Sequence, residues 1–324
     1  MDYDAILIVS FGGPEGPEDV MPFLENVLRG RNVPRERMLE VAGHYAHFGG
    51  RSPINDYCRA LIAALRQKLE ASRPRLPVYW GNRNWHPLVS DALRLMTANG
   101  VRRAIAFATS AYASYSGCRQ YLENIEAARA AAGAGAPVVD KIRPFFDHPL
   151  FLQATADRLR EVLDRLPGAR VVFTAHSIPL SMAGGCDYER QLRETAGCVA
   201  GSMSLAGWDL AWQSRSGPPS QPWLGPDICD HLRALAGQGV RDVVAAPIGF
   251  LSDHIEVLYD LDVEAAQAAA GLGLNFVRAA TVGTHPAMVE MVRQLVAERV
   301  AAPGPDSCPA NCCPAPVRPG GVAK

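Results

Sequence analysis

The sequence predicts an α/β fold of two similar domains, each a parallel sheet flanked by helices. Three observations carry that expectation: apolar runs alternate with helical patterns, one long segment is written twice, and short loop motifs recur in the same order in both halves. Along the chain, "AILIVSF" (5–11), "PVYWG" (77–81) and "RAIAFAT" (103–109) read as strands of the first domain. "RVVFTAHS" (170–177), "LAWQS" (210–214) and "DVVAAPIGF" (242–250) read as strands of the second, and every run ends in small or polar residues.

The repeat pairs "GVRRAIAFATSAYASYSGCRQYLENIEAARAAA" from Gly100 with "GVRDVVAAPIGFLSDHIEVLYDLDVEAAQAAA" from Gly239, with one extra residue in the first copy. "VSFGGP" (9–14) precedes the first copy as "TAHSIP" (174–179) precedes the second, and "WGNR" (80–83) is echoed by "WQSR" (212–215). The expected division is therefore 1–145, 146–300 and a tail, 301–324. Ligands of open α/β sheets bind beyond the carboxyl ends of the strands, which sends the loops after "ILIVS", "VVFTA" and "AAPIG" into one cleft. Phe11 and His176 are counterparts in the two halves.

At 324 residues, 48% hydrophobic and 20% charged, the chain can bury a sizeable core. A formal net charge of −1 provides no global attraction to nucleic acid or to an anionic membrane. No apolar run approaches the roughly 20 residues that a membrane-spanning helix needs. "MDYDAILIVSFGG" reads as a short charged lead into a buried strand, without a cationic leader pattern, so a cytoplasmic location is expected. "FGGP" lacks the G-x-G-x-x-G spacing, and nucleotide chemistry is not indicated.

After the last strand run, "SDHIEVLYDLDVEAA" (252–266) sets Asp253, Glu256, Asp260 and Glu264 at steps of three and four. A helix would stack these carboxylates on one face and turn Val257, Leu258, Leu261 and Val263 to the other. Like charges so placed cost a few tenths of a kcal/mol per pair, and a cation is the simplest reason to stack them. The ladder starts where a strand points into the cleft, so His176 and Glu256 are expected to converge. A lone strand-end histidine is ordinarily satisfied by backbone; the ladder opposite gives His176 a chemical role. His254, two residues before Glu256, is expected on another helix face, giving a supporting hydrogen bond. His44, His47, His86, His148, His231 and His285 show no paired ligand spacing and read as structural or exposed.

The tail, "AAPGPDSCPANCCPAPVRPGGVAK", is too rich in Pro and Gly for helix or strand. Cys308, Cys312 and Cys313 lie close enough to suit a soft metal or an iron–sulfur cluster, which takes four cysteines. Spacing leaves Cys58, Cys118, Cys186, Cys198 and Cys229 all available as the fourth.

"FGGP", "HFGGRSPIN" (47–55), "AHSIP" (175–179), "WQSRSGP" with "PWLGP" (212–226) and "SDHIEVLYDLD" (252–262) together resemble the ferrochelatase family, nearly end to end. The resemblance implies two flavodoxin-like, chelatase-type domains and an enzyme that inserts ferrous iron into a porphyrin held between them. It makes His176 and Glu256 the catalytic, metal-contacting pair, with Asp260 and Glu264 continuing an acidic path. "SFGGPEGPEDVMPFLENVLRGRNVPRERM", "HYAHFGGRSPIN" and "SAYASYSGCRQYLENI" are most similar to actinobacterial members, regarded as coproporphyrin III ferrochelatases that make coproheme. The same resemblance places Arg29 or Arg31, Tyr45, Ser52 and Tyr121 near propionates and Phe11 against the macrocycle, where some members carry a tyrosine whose oxygen can approach iron. It joins Cys118 to Cys308, Cys312 and Cys313 around a 2Fe-2S cluster, and it implies transient contact with neighbouring heme-pathway enzymes. A protoporphyrin IX ferrochelatase is the nearest rival reading. A non-catalytic porphyrin or heme carrier is the rival from another class, and it has no need of a base opposite an acid ladder.

Metallating a free-base porphyrin removes two pyrrole N–H protons while the iron sheds water. With an unperturbed pKa near roughly 6.5, His176 can take a proton or ligate iron. Glu256 and the acids behind it are hard oxygen donors that can also carry protons outward. Residue chemistry leaves both assignments open.

Overall fold

The computed structural model describes residues 2–30, 33–72, 74–218, 220–302 and 311–315. Two four-stranded parallel sheets organise them. The first runs β2-β1-β3-β4, built from β1 (Ala5–Ser10), β2 (Val78–Asn82), β3 (Arg103–Ala108) and β4 (Val138–Lys141). The second runs β6-β5-β7-β8, built from β5 (Arg170–His176), β6 (Trp208–Gln213), β7 (Asp242–Ala246) and β8 (Asn275–Arg278). The two orders are the same, so the repeat read in the sequence is a repeat of topology. β4 and β8 were not among the six apolar runs. Both are four-residue edge strands with charged or exposed positions, and they lack the apolar signal of the buried centre.

β1 is fully buried along its length because helices cover both faces of the sheet. On one side α3 (Ile54–Glu70) sets Leu61, Leu65 and Leu69 at helical spacing against Ile6 and Ile8. The other face packs Leu7 and Val9 against Leu93, Met96 and Ile125. The main core does not stop at the first half; it continues through Phe145 and Phe151 to Phe173, Trp212 and Val244. The last helix, Pro286–Ala301, buries Met288, Met291, Val292 and Leu295 in that same core. Its Glu290 reaches Lys68 of α3 at 3.0 Å, so the C-terminal helix spans both halves. Further ties across the halves are Tyr112 Oη to the Ile248 carbonyl (3.0 Å) and the Ala113 amide to Gln191 Oε1 (2.7 Å).

Two departures from regular helix matter for the site. Each repeat carries a π-helix after its third strand, Tyr115–Arg119 in the first half and Leu258–Ala265 in the second. The wider i→i+5 turn is uncommon and is frequently found at functional places. α1 (Pro17–Val27) and α2 (Arg35–His47) form a separate small layer around Phe23 and Leu24, and no residue of α2 is fully buried.

Candidate active site

His176 ends β5, opposite Gln213 at the end of β6. Its backbone carbonyl accepts from Tyr188 Oη at 3.1 Å, and Nδ1 meets the Ser177 carbonyl. Nδ1 donates there, which leaves Nε2 as the reactive nitrogen. Glu256 presents Oε1 to that Nε2 at 3.7 Å. Gln213 Nε2 donates to the Glu256 carbonyl at 2.8 Å, so the end of β6 holds the start of the acidic segment. The expected convergence of an imidazole and an acid from separate elements is present.

The backbone allows this meeting at two tight places. A Cβ on Gly249 would stand 2.6 Å from both Cα and Cβ of Ala175, so only glycine lets the end of β7 cross directly beside His176. In the first half Gly12 adopts φ +82, and a Cβ there would lie 2.8 Å from Asn82 Cβ.

The acid ladder differs from the one drawn on an ideal helix. Asp253 is not a rung: it lies before the helix and binds Arg278 (3.1 and 3.2 Å) and Thr281 (3.0 Å). His254 is extended, with φ −150 and ψ 178. It is the residue before the short helix Ile255–Val257, so its side chain is not bound to a helix face and stands beside Glu256. Nδ1 stands 4.0 Å from Glu256 Oε2, too far for the expected hydrogen bond. Beyond Glu256 the segment is π-helical; Asp260 is buried and accepts from Ser214 Oγ, while Glu264 is exposed.

Electrostatics separates these acids. Burial would raise Glu256, but the charges of His176 and His254 outweigh it and hold its carboxyl at about 2. Burial would lower His176, and the Glu256 carboxylate with the Ser177 carbonyl holds it above its usual value. His254 is kept below its usual value, first by burial and then by His176. Asp260 is pushed up to about 7 by burial and by its neighbours Glu256 and Glu264, despite the Ser214 hydrogen bond. Glu264 is raised by burial and by Asp227, with Arg37 opposing. Solvent reaches 30% of the His176 side chain and 52% of that of Glu256, so their attraction is screened. A neutral-pH site thus has one permanent anion, an imidazole biased toward its cation, and an inner carboxyl poised between states.

The other expected residues belong to elements and loops of the first half. Phe11, just past β1, is 37% exposed and meets Phe23 edge-on at 6.3 Å. Tyr45 of α2 packs on Phe23, and its hydroxyl is held above its usual pKa by burial and then by Glu256, which places it beside the acidic wall. Tyr121 is buried beneath the Arg83 guanidinium, 4.6 Å from the ring centre; the same guanidinium lies 5.7 Å from the Phe11 ring. Ser52 is buried under the Gly13 backbone and donates its amide to the Pro14 carbonyl at 2.9 Å. Arg29 is exposed just past α1, and Arg31 lies outside the described residues. The sequence reading missed Tyr188, Gln213 and Ser214, although "WQSR" marked the loop. His44, read as structural or exposed, stacks its ring on Tyr259 of the second π-helix at 3.7 Å and 9° and so bridges α2 to the acidic segment. His148 and His285 are structural, as read: each accepts an amide at the start of a helix. A groove of about 700 Å3 along the free edge of β2, lined by Leu69, Leu76, Trp80 and Leu95, contains none of these groups.

The tail segment 311–315 is tied to the first π-helix, where the guanidinium of Arg119, next to Cys118, donates to the Cys312 carbonyl at 2.9 Å, and Cys313 is buried. Burial and the neighbouring sulfurs of Cys312, Cys118 and Cys186 raise the Cys313 thiol well above its usual value. The Cys312 and Cys313 sulfurs are 3.7 Å apart, a separation that two thiolates on one metal can adopt. Cys308 lies outside the described residues, and among the described residues no three His, Cys, Asp or Glu side chains converge on a single ion.

Comparison with known proteins bears on the fold and the family. The fold is similar to the sirohydrochlorin chelatase SirB of Bacillus subtilis subspecies spizizenii in complex with cobalt (TM-score 0.57, 14% identity, 93% of this chain and 97% of that one). It is likewise similar to SirB from Bacillus subtilis with Fe3+ (TM-score 0.61, 13% identity, 93% and 96%). By sequence the chain is 53% identical to a ferrochelatase of Rhodopirellula baltica over 96% of this chain and 93% of that protein. It is 53% identical to a coproporphyrin III ferrochelatase of Nocardia farcinica over 93% and 89%. With the ferrochelatase family model matching residues 3–300 as well, the chain belongs to the ferrochelatase family.

Proposed function

We propose that this ferrochelatase inserts ferrous iron into coproporphyrin III to form coproheme, with His176 and Glu256 at the point of insertion. The observation that carries the reading is the 3.7 Å approach of His176 Nε2 to Glu256 Oε1 from two different elements. Support for the tetrapyrrole comes from relatives such as the Nocardia farcinica protein, which bears the name coproporphyrin III ferrochelatase. A carrier reading gives no account of a depressed carboxylate beside a biased imidazole.

In this reading Glu256, anionic at neutral pH, offers the arriving cation a hard oxygen. His176 takes a pyrrole proton at Nε2, and Asp260, balanced near neutrality, passes protons outward toward Glu264. Phe11 lies against the macrocycle, and Arg29 or Arg31, Tyr45, Ser52 and Tyr121 stand near the propionates. The division into 1–145, 146–300 and 301–324 is part of the proposal and is supported by the repeated strand order. So is a 2Fe-2S cluster on Cys118, Cys308, Cys312 and Cys313, which when bound supplies a redox-active crosslink between tail and body. The seven cysteines among the described residues are all unpaired, which suits a reducing cytoplasm, where neighbouring heme-pathway enzymes would be met. No helix among the described residues is long and apolar enough to cross a membrane.

The test is iron insertion by the purified protein into coproporphyrin III and protoporphyrin IX, side by side. A clear preference for coproporphyrin III is expected; preference for protoporphyrin IX would defeat the substrate assignment while leaving the reaction class standing.

A further inference from the structure

One guanidinium holds the acidic segment on both sides of Glu256 and Asp260. Arg278 ends β8, and its Nε and Nη2 donate to the two oxygens of Asp262 at 2.6 and 2.9 Å. Asp262 lies inside the second π-helix, between Asp260 and Glu264 in the chain. From the same guanidinium, Nη1 and Nη2 reach the two oxygens of Asp253 at 3.1 and 3.2 Å. Asp253 precedes the short helix that carries Glu256. The stretch from Asp253 to Asp262 is thereby closed on itself through Arg278.

The surroundings make this a fixed grip. The Arg278 side chain is only 13% exposed. The loop after β8 adds two ties to the chain just before Glu256: Thr281 Oγ1 donates to Asp253 Oδ1 at 3.0 Å, and the Gly283 amide donates to the Leu251 carbonyl at 2.8 Å. The apolar side chains of the segment, Val257, Leu261 and Ala265, are buried in one cluster with Val172, Ala211 and Leu232. Apolar burial is non-directional, whereas the planar fork of a guanidinium fits a carboxylate in one orientation. A π-helix is an uncommon turn, and a shift toward the ordinary α turn would rotate Asp260 and Asp262 about the axis relative to Glu256. The two-oxygen grip on Asp262 opposes that rotation. Solvent reaches 34% of the Asp253 side chain and 37% of that of Asp262, so both ion pairs are screened and add little stability. What they supply is orientation.

We propose that Arg278 is a positioning residue for metal insertion, setting the placement of Glu256 and Asp260 by gripping the carboxylates of Asp253 and Asp262 while touching neither iron nor porphyrin. The inference rests on the assignment of Glu256 and Asp260 to the reaction. It makes turnover, and not porphyrin binding, depend on a side chain at the end of β8.

The test measures iron insertion into coproporphyrin III by the full-length variants R278Q, R278K and D262N beside the wild type and E256Q. Melting curves fix a temperature at which each is folded. R278Q is expected to lower kcat by at least about 10-fold, because a misplacement of about 1 Å away from the chemistry can cost about 100-fold. The KM for porphyrin should stay within a few-fold of the wild type. R278K keeps the charge without the fork and should be impaired to a similar extent. A role confined to stability would lower the melting temperature and leave kcat of the folded protein unchanged. A smaller fall in kcat for R278Q overturns the proposal, as does wild-type kcat in R278K or a rise in KM in place of the fall in kcat. If neither arginine variant folds, D262N decides: the same fall in kcat supports the grip and an unchanged kcat overturns it. E256Q separates the two levels. Lost turnover in E256Q with wild-type turnover in R278Q removes the role of Arg278 alone, whereas wild-type turnover in E256Q removes the acid assignment on which that role rests.

Discussion

The side chains at residues 176 and 256 set each other's protonation through charge. Glu256 keeps His176 more basic than an ordinary histidine, so replacing the carboxylate with an amide leaves burial to act alone. An NMR titration of Glu256→Gln should therefore show the His176 imidazole titrating at lower pH than in the wild type; an unchanged or higher midpoint contradicts the coupling. Asp260 gives a prediction of opposite sign for stability. Its pKa is raised in the folded chain, from 3.8 to about 7, so the folded state holds a proton that the unfolded state releases, and stability falls as pH rises across that interval. Asp260→Asn removes the penalty. Relative to the wild type it should gain stability between pH 5 and pH 8, by a few kcal/mol at most, as read from melts at both values; a pH-independent difference would contradict the assignment. His176, Glu256 and Asp260 were legible in the sequence because their loops follow strand ends. Tyr188, Gln213 and Ser214 were not, because their roles depend on hydrogen bonds between elements far apart in the chain.

At the scale of elements, the site is the place where β5, β6, β7 and the second π-helix crowd together, and glycine decides whether they can. Gly249→Ala would drive a methyl into the backbone of Ala175, beside His176. That collision involves backbone that cannot swing aside, so a loss of about 1–3 kcal/mol is expected in denaturant unfolding, together with loss of activity. Stability and turnover both unchanged would show that the strand ends are looser than described. The spacing of Glu256, Asp260 and Glu264 announced an acidic helix correctly in kind. It could not announce the π-helical turn or the extended residue before it, since side-chain spacing at three and four fits either helix. Hence Asp253 was counted among the rungs and His254 was turned the wrong way.

For the whole molecule, duplication was the most legible feature: the strand order of one half repeats in the other, as the paired motifs implied. Less legible was how far the halves share one interior. The C-terminal helix, read only as more of the second half, packs into a core that reaches Ile6 and Phe173 alike. Met291→Ala, at a fully buried position of that helix, should cost roughly 2–5 kcal/mol and lower the stability of both halves together. Two separate unfolding transitions, with only one of them shifted, would show instead that the halves are independent. His176 and Glu256 both belong to the second half, where the end of β5 and the segment after β7 hold them 3.7 Å apart. The most direct test of that arrangement is porphyrin metallation by His176→Ala, measured with ferrous iron and coproporphyrin III alongside porphyrin binding by fluorescence. Binding within a few-fold of the wild type and turnover reduced by at least about 100-fold are predicted; turnover close to that of the wild type would contradict the account.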